Sequence, residues 1–324
     1  MLTITLLTCI YFLIKLEPFL RQMLKKFYLV FLLACCWGPS FLFIKIAIQA
    51  IPPCTLATFR VGTAALLLLV LLRLRRIPLK PWLHCTGHFF VVGALSSVIP
   101  FALLGYGQRL ISSGLAGLIN GSIPVFTVLI AHFTTRDEKL SLSTALGIFL
   151  GLLGLAIVFF PSLKDTYSSS IGILSVVAVC ICYAIAMVYA RKNLSHLPPL
   201  VGPTCQLASA TPIGVLLLLF FDPPILWEAV TWHVIAACCG LVLLGTFFAF
   251  IIYFTLLRIA GASYLSFSTF LLPPIAVVLG SVFFQEELAW NAYLGGACIL
   301  LGLGITTGLI RLRPKRKLLE PPHG

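Results

Sequence analysis

Residues 109–147 read RLISSGLAGLINGSIPVFTVLIAHFTTRDEKLSLSTALG. They contain one apolar, helix-length run, Ser112 to Thr134, interrupted at its middle by Pro124 and closed by the acidic pair Asp137-Glu138. Displaced by 149 positions, the stretch meets the chain again without a gap. Arg109 falls on Arg258, Pro124 on Pro273, Val128 on Val277, Glu138 on Glu287 and Gly147 on Gly296. Five identities in 39 positions carry little weight as a number, but their kind carries more. A proline at mid-run, an arginine before it and a glutamate after it are not what apolar sequence returns by chance. The chain contains one unit twice.

Composition assigns the class. Of 324 residues, 60% are hydrophobic and 10% are charged, against about 25% charged in a soluble domain. Apolar runs of about 20 residues recur along the whole length, as crossing a ~30 Å hydrocarbon core requires. Backbone groups in lipid must bond internally, and runs of this length form helices rather than barrel strands of ~10 alternating residues. The fold class is therefore all-α, a polytopic membrane protein. In a soluble chain a net charge of +13 would point to nucleic acid. In a membrane chain, basic residues collected in cytoplasmic loops account for it, and no nucleic-acid partner is expected. The eleven cysteines lie mostly inside apolar runs and show no metal-ligand spacing, so they read as small buried apolar residues and no metal is expected.

Taken in order, helices are expected over about 27–48, 55–72, 85–107, 112–134, 140–160, 171–190, 200–221, 234–256, 262–284 and 292–310. Residues 1–26 form an N-terminal extension. Its apolar run ends by residue 14, too short to span and without a basic leader, and Met23 followed by Lys25-Lys26 resembles a natural start. The five-helix units cover 27–160 and 171–310, joined by the polar link 162–170, and a basic tail occupies 311–324. A second shift, of 146, lays helices 1–2 on helices 6–7: Cys36 on Cys182, Pro52-Pro53 on Pro198-Pro199, Thr58 on Thr204, Lys45 on Arg191.

Because five is odd, the second unit enters from the opposite side, which makes the fold ten transmembrane helices in two inverted five-helix repeats. Loop charge agrees. With both termini cytoplasmic, all but four of the 22 Lys and Arg fall on the inner side; Lys45, Arg60, Arg109 and Lys164 are the four outside. Inverted repeats with interrupted helices are the signature of secondary transporters, with the site near the bilayer midplane.

These residues resemble the drug/metabolite transporter superfamily, of the ten-helix type with two EamA domains. The resemblance rests on Trp37-Gly38 with Lys45, Arg60 early in helix 2, and the proline-containing stretch followed by Glu138-Lys139-Leu140 and Gly147. In the second half it rests on Pro273-Pro274, Glu287-Leu288 and Gly295-Gly296. It covers about residues 27–310. It implies a metabolite transporter with helices 3, 4, 8 and 9 around a central cavity and helices 5 and 10 at the periphery.

A proline inside a helix lacks an N–H and displaces the carbonyl four residues earlier. Pro124 thus frees the carbonyl of Asn120, and Pro273 that of Thr269, its repeat mate. At mid-bilayer such groups should face a polar cavity, since an unbonded carbonyl facing lipid costs several kcal/mol. The substrate-binding residues expected are Trp37, Tyr106, Asn120, Pro124, Tyr183, Tyr253, Thr269 and Pro273, with Lys45 and Arg60 lining an outer vestibule. A charge costs ~2.5–3.5 kcal/mol at mid-span and less near an end, so Lys45, Arg60 and Arg109 can also snorkel toward the outer face. Glu138 and Glu287 fall at helix ends, beside the positive end of the next helix dipole. Gly147-xxx-Gly151 and Gly304-xxx-Gly308 suit close helix packing within one protomer.

No nucleotide-binding loop or hydrolase signature occurs, so no enzyme and no cofactor are expected. No Asp or Glu falls at mid-helix, which disfavours a buried proton-carrying carboxylate. The expectation is a secondary transporter working by alternating access, as facilitator or exchanger, on a small polar or amphipathic metabolite: an amino acid, a nucleotide-like or a sulfonium compound. It would be a monomer or homodimer in contact with membrane lipids, placed in the bacterial inner membrane. The alternative is a lipid-handling protein or flippase without a catalytic site.

Overall fold

The computed structural model describes residues 26–134, 142–165, 167–194, 196–198, 200–306 and 310; the side chains of 81–83, 160–169, 257–258, 260–267, 269–270 and 306 lie outside that description. Glu138, the Thr269 side chain, Gly308, the N-terminal extension and the basic tail therefore fall outside it.

The described chain is helical throughout its spans. We number these α1 (Lys26–Ala47), α2 (Pro53–Leu74), α3 (Thr86–Leu110), α4 (Ser113–Thr134), α5 (Leu142–Asp165), α6 (Tyr167–Leu194), α7 (Val201–Phe221), α8 (Trp232–Leu256), α9 (Leu271–Phe284) and α10 (Trp290–Thr306). Large apolar side chains point outward along them, among them Leu66 at 64% exposed, Phe149 at 62% and Leu219 at 69%. A water-facing surface would not carry so many; lipid accepts them. Trp227, Trp232 and Trp290 stand exposed at one end of the bundle, where an aromatic belt meets the interface.

Local chemistry sets the helix starts and breaks. Pro52, extended at ψ 149°, leads into Pro53 at the first turn of α2, where a missing N–H costs nothing. Ser112 caps α4, accepting from the Leu115 N–H at 3.2 Å. Pro124 divides α4 into Ser113–Asn120 and Ile123–Thr134, separated by Gly121-Ser122. The expected mid-helix interruption is there. The mate region behaves differently. The link expected between helices 8 and 9 is helical, and one backbone helix runs from Ala249 to Phe284 with Pro273 and Pro274 inside it. The physical reason is the cap: Ser112 corresponds to Gly261, which has no side chain to end one helix and start the next.

Two helices contain a π-helical turn, Ala94–Val98 in α3 and Leu243–Phe248 in α8. Displaced by 149, the first falls on the second. The repeat is thus written into backbone geometry as well as sequence.

Packing follows the small residues. A Cβ on Gly121 would meet Pro273 Cγ at 3.0 Å, so the broken point of α4 lies directly on the proline of α9. At the periphery α5 runs against α10. A Cβ on Gly154 would lie 2.5 Å from the Gly295 carbonyl oxygen, and one on Gly295 2.6 Å from that of Gly154. Gly147, Gly151 and Gly154 are used inside the protomer, as expected of them. The core lies between α1, α3, α4, α6, α8 and α10, with Leu241, Ile119, Val176 and Ile299 fully buried.

Candidate functional site

At the end of the bundle bearing Lys45, two charged side chains clamp the α3–α4 junction from opposite sides. Lys45 Nζ donates to the carbonyls of Gln108 (2.6 Å) and Ile111 (2.8 Å), satisfying the C-terminus of α3. The Glu286 carboxylate accepts from the Ser113 N–H (2.8 Å), the Ser113 hydroxyl (2.8 Å) and the Gly114 N–H (2.9 Å), the first donors of α4. Gln285 places Glu286 there: it turns left-handed at φ 52°, and the Glu286 N–H returns to the Gly280 carbonyl at 3.2 Å. The capping carboxylate is therefore Glu286 rather than Glu287, which is exposed, and the helix it caps is α4 rather than the next one in sequence.

A second clasp stands at the same end. Asp222, just past α7, accepts from the Thr55 N–H (2.5 Å), the Thr55 hydroxyl (2.8 Å) and the Tyr106 hydroxyl (2.8 Å). The two clasps join α1, α2, α3, α4, α7 and α9 by charge-assisted hydrogen bonds. Lys45 belongs to this seal and is half-buried, and Tyr106 is in it too.

Deeper in, the break in α4 presents Asn120. This residue is 7% exposed, and its side-chain oxygen has no hydrogen-bond partner. Ser122 donates to the Ile119 carbonyl at 2.7 Å, and the Cys180 thiol to the same carbonyl at 3.5 Å. Both bonds thus serve the Ile119 carbonyl, and neither reaches the Asn120 side-chain oxygen. Gln108, wholly buried, has both amide atoms unpartnered.

The π turns are held by repeat mates. Arg60 on α2 donates from Nε to Thr246 Oγ1 (2.6 Å) and from Nη2 to the Gly245 carbonyl (2.8 Å), both in the π turn of α8. Its mate under the 146 shift, Gln206 on α7, donates from Nε2 to Ser96 Oγ (2.7 Å) and Ser97 Oγ (3.1 Å), in the π turn of α3. Each tie crosses between halves. Arg60 does not snorkel: it is 4% exposed, with the Phe101 ring 3.8 Å from its guanidinium carbon. Neighbouring helices bury it, which its distance along α2 alone could not reveal.

Matches to known proteins follow this geometry. The model of the EamA-like transporter family fits residues 24–160 and again 170–308. The chain belongs to the EamA-like transporter family. It is similar to the "uncharacterized transporter YoaV" of Bacillus subtilis, 25% identical over 84% of this chain and 92% of that one. Protein PagO of Salmonella typhimurium is 27% identical over 86% of this chain and 91% of its own length. The "uncharacterized inner membrane transporter YedA" of Escherichia coli K12 is 24% identical over 93% and 96%. A solved crystal structure superposes with a TM-score of 0.59 at 18% identity, covering 88% of this chain and 97% of its own, and so shares the fold. The chain is a multi-pass membrane protein.

Within this EamA-like fold the expected aromatic residues do not form one wall. Trp37 and Tyr253 meet at 5.8 Å between ring centroids. Tyr183 neighbours Arg60, and Tyr106 closes the Lys45 end. Glu286, Asp222, Gln206 and Ser40 were missed as individuals, though the 149 shift pairs Glu286 with the acidic Asp137. At the opposite end His84, Cys85 and His196 bring their ligand atoms within 4.8 Å of one another, a grouping with metal-ligand chemistry among the described residues. It joins two separate links, so no spacing in the sequence announces it.

Proposed function

We propose that this EamA-like protein is a secondary transporter, not an enzyme, that carries a small polar or amphipathic metabolite by alternating access, as facilitator or exchanger. The observation that carries this reading is the break in α4. The side-chain oxygen of Asn120 there is buried and unpartnered, and the residue sits where the chain breaks over Pro273 of the other repeat. A buried amide oxygen without a partner costs stability, and a solute that donates to it would recover that cost. Asn120, Pro124, Thr269 and Pro273 form the centre of the proposed site, with Trp37, Tyr183 and Tyr253 around it. Tyr106 and Lys45 close it at one end, and Arg60 bounds it from α2. Amino acids, nucleotide-like solutes and sulfonium compounds are the classes to try.

The sealed end is assigned to the outside of a bacterial inner membrane, with both termini in the cytoplasm and residues 27–160 and 171–310 as the two inverted units. The arrangement of charges then corresponds to a carrier closed to the exterior. The protein acts as a monomer or homodimer in contact with membrane lipids. Counterflow in proteoliposomes over that panel tests the reading. Asn120→Leu should reach the membrane with unchanged or higher thermal stability and lose at least tenfold in transport. Wild-type affinity and rate in this variant would remove Asn120 from the site.

A further inference from the structure

We propose that Arg60 and Ser40 form an anion subsite that takes a carboxylate group of the carried solute. The inference rests on the transport reading and narrows its substrate class to carboxylate-bearing solutes.

The repeat supplies the control. Arg60 and Gln206 occupy mate positions and perform one task, tying a helix of one half to the π turn of the other. Gln206 does so without charge, at 6% exposed. A neutral amide is therefore sufficient for the tie, and the positive charge at position 60 is surplus to it. A buried charge in a membrane span is costly enough that it marks a functional group unless something neutralises it. No acidic side chain among the described residues pairs with Arg60, and its ionisable neighbour is Tyr183.

The acceptors also differ between the two ties. Gln206 meets two side-chain hydroxyls, Ser96 and Ser97. The mate of Ser97 is Thr246, which Arg60 uses. The mate of Ser96 is Gly245, which has no side chain, so Arg60 falls back on its carbonyl. Two of the five guanidinium N–H groups are thereby satisfied and three have no partner on the described residues. Beside the missing side chain stands Ser40 on α1, 7% exposed, its hydroxyl unpartnered. A Cβ built on Gly245 would lie 2.6 Å from Ser40 Oγ and 3.1 Å from Arg60 Nη2. The unpartnered Ser40 hydroxyl and the Arg60 guanidinium thus both pack against Gly245, at the position where the other half carries the Ser96 hydroxyl. Carboxylate oxygens are the acceptors that this pair lacks, and a guanidinium edge suits them geometrically.

The probes are benzoate and its neutral isostere benzamide, with thermal unfolding of the purified full-length protein as readout. Benzoate should raise the midpoint of the wild type in a saturable way and benzamide should not. Arg60→Gln copies the chemistry of the mate position; it should unfold near the wild-type temperature without ligand and show no response to benzoate. Ser40→Ala should keep the response with a dissociation constant raised at least fivefold. Equal responses to benzoate and benzamide in the wild type would overturn the subsite, as would a benzoate response that both variants retain unchanged. Solute exchange in proteoliposomes without any benzoate response sinks the subsite and leaves the transport reading intact. A benzoate response with no exchange of any solute sinks the transport reading instead.

Discussion

Glu286 holds Ser113 twice, one carboxylate oxygen accepting from the backbone N–H and the other from the hydroxyl, both at 2.8 Å. The two residues are 173 positions apart, and the contact fastens the link after α9 in one repeat to the start of the broken helix in the other. Glu286→Ala strips an acceptor from three donors, two of them backbone groups of α4. Each buried donor left unpaired costs about 1–3 kcal/mol, so the unfolding midpoint should fall by several degrees. Glu286→Gln, which keeps one acceptor oxygen, should fall less. An unchanged midpoint in the alanine variant would show that water replaces the carboxylate.

The α5–α10 contact should be intolerant of a single methyl group. In Gly154→Ala the new carbon meets a backbone oxygen of Gly295, which cannot rotate aside. Overpacking of this kind costs about 1–3 kcal/mol. Gly87→Ala on α3 meets nothing within 4 Å and should be neutral or slightly stabilising, since glycine is a poor helix residue. Thermal unfolding of the two variants side by side checks the pair. Equal midpoints would mean that α5 and α10 separate freely.

Much of the fold was legible because it depends on quantities local to the chain. Span length follows from apolar runs, the break in α4 from Pro124, and the duplication from residues that recur at a fixed shift. The seal was not legible, because Lys45, Gln108 and Glu286 meet only after three helices pack. Nor was the depth of Arg60, which its neighbours set, nor the helical continuity at 257–261, where a serine in one half is a glycine in the other. Of the expected site, Trp37 and Tyr253 come together, and the Asn120 side-chain oxygen is buried without a partner. Tyr106 went instead to Asp222, a partner on α7 that no spacing connects to it.

Sidedness has a direct check. Glu228 is exposed in the short turn Trp227–Ala229 between α7 and α8, at the sealed end. A cysteine placed there should react with a membrane-impermeant maleimide added to intact cells, and one at the exposed Lys80 should react only after the cells are opened. The reverse pattern would invert the proposed orientation.

Energy coupling should not depend on a proton gradient. The acidic side chains described here, Asp222, Glu228, Glu286 and Glu287, stand at or beyond helix ends, so no carboxylate among them is placed to carry a proton across. Exchange in vesicles loaded with counter-substrate should continue when an uncoupler is added. Arrest under those conditions would refute the exchanger mechanism.

The π turns fix helical phase. An α-helix advances about 100° per residue, and a π turn accommodates one residue beyond the α count. The side chains before and after Ala94–Val98 are therefore offset by roughly that angle from where an unbroken α-helix would set them. Ser96 and Ser97 can face Gln206 on α7 while, farther along the same helix, Tyr106 faces Asp222 and the last carbonyls face Lys45. Remove one residue from the turn and these two sets of partners fall out of step, so that α3 can satisfy one end of the bundle or its middle, but not both.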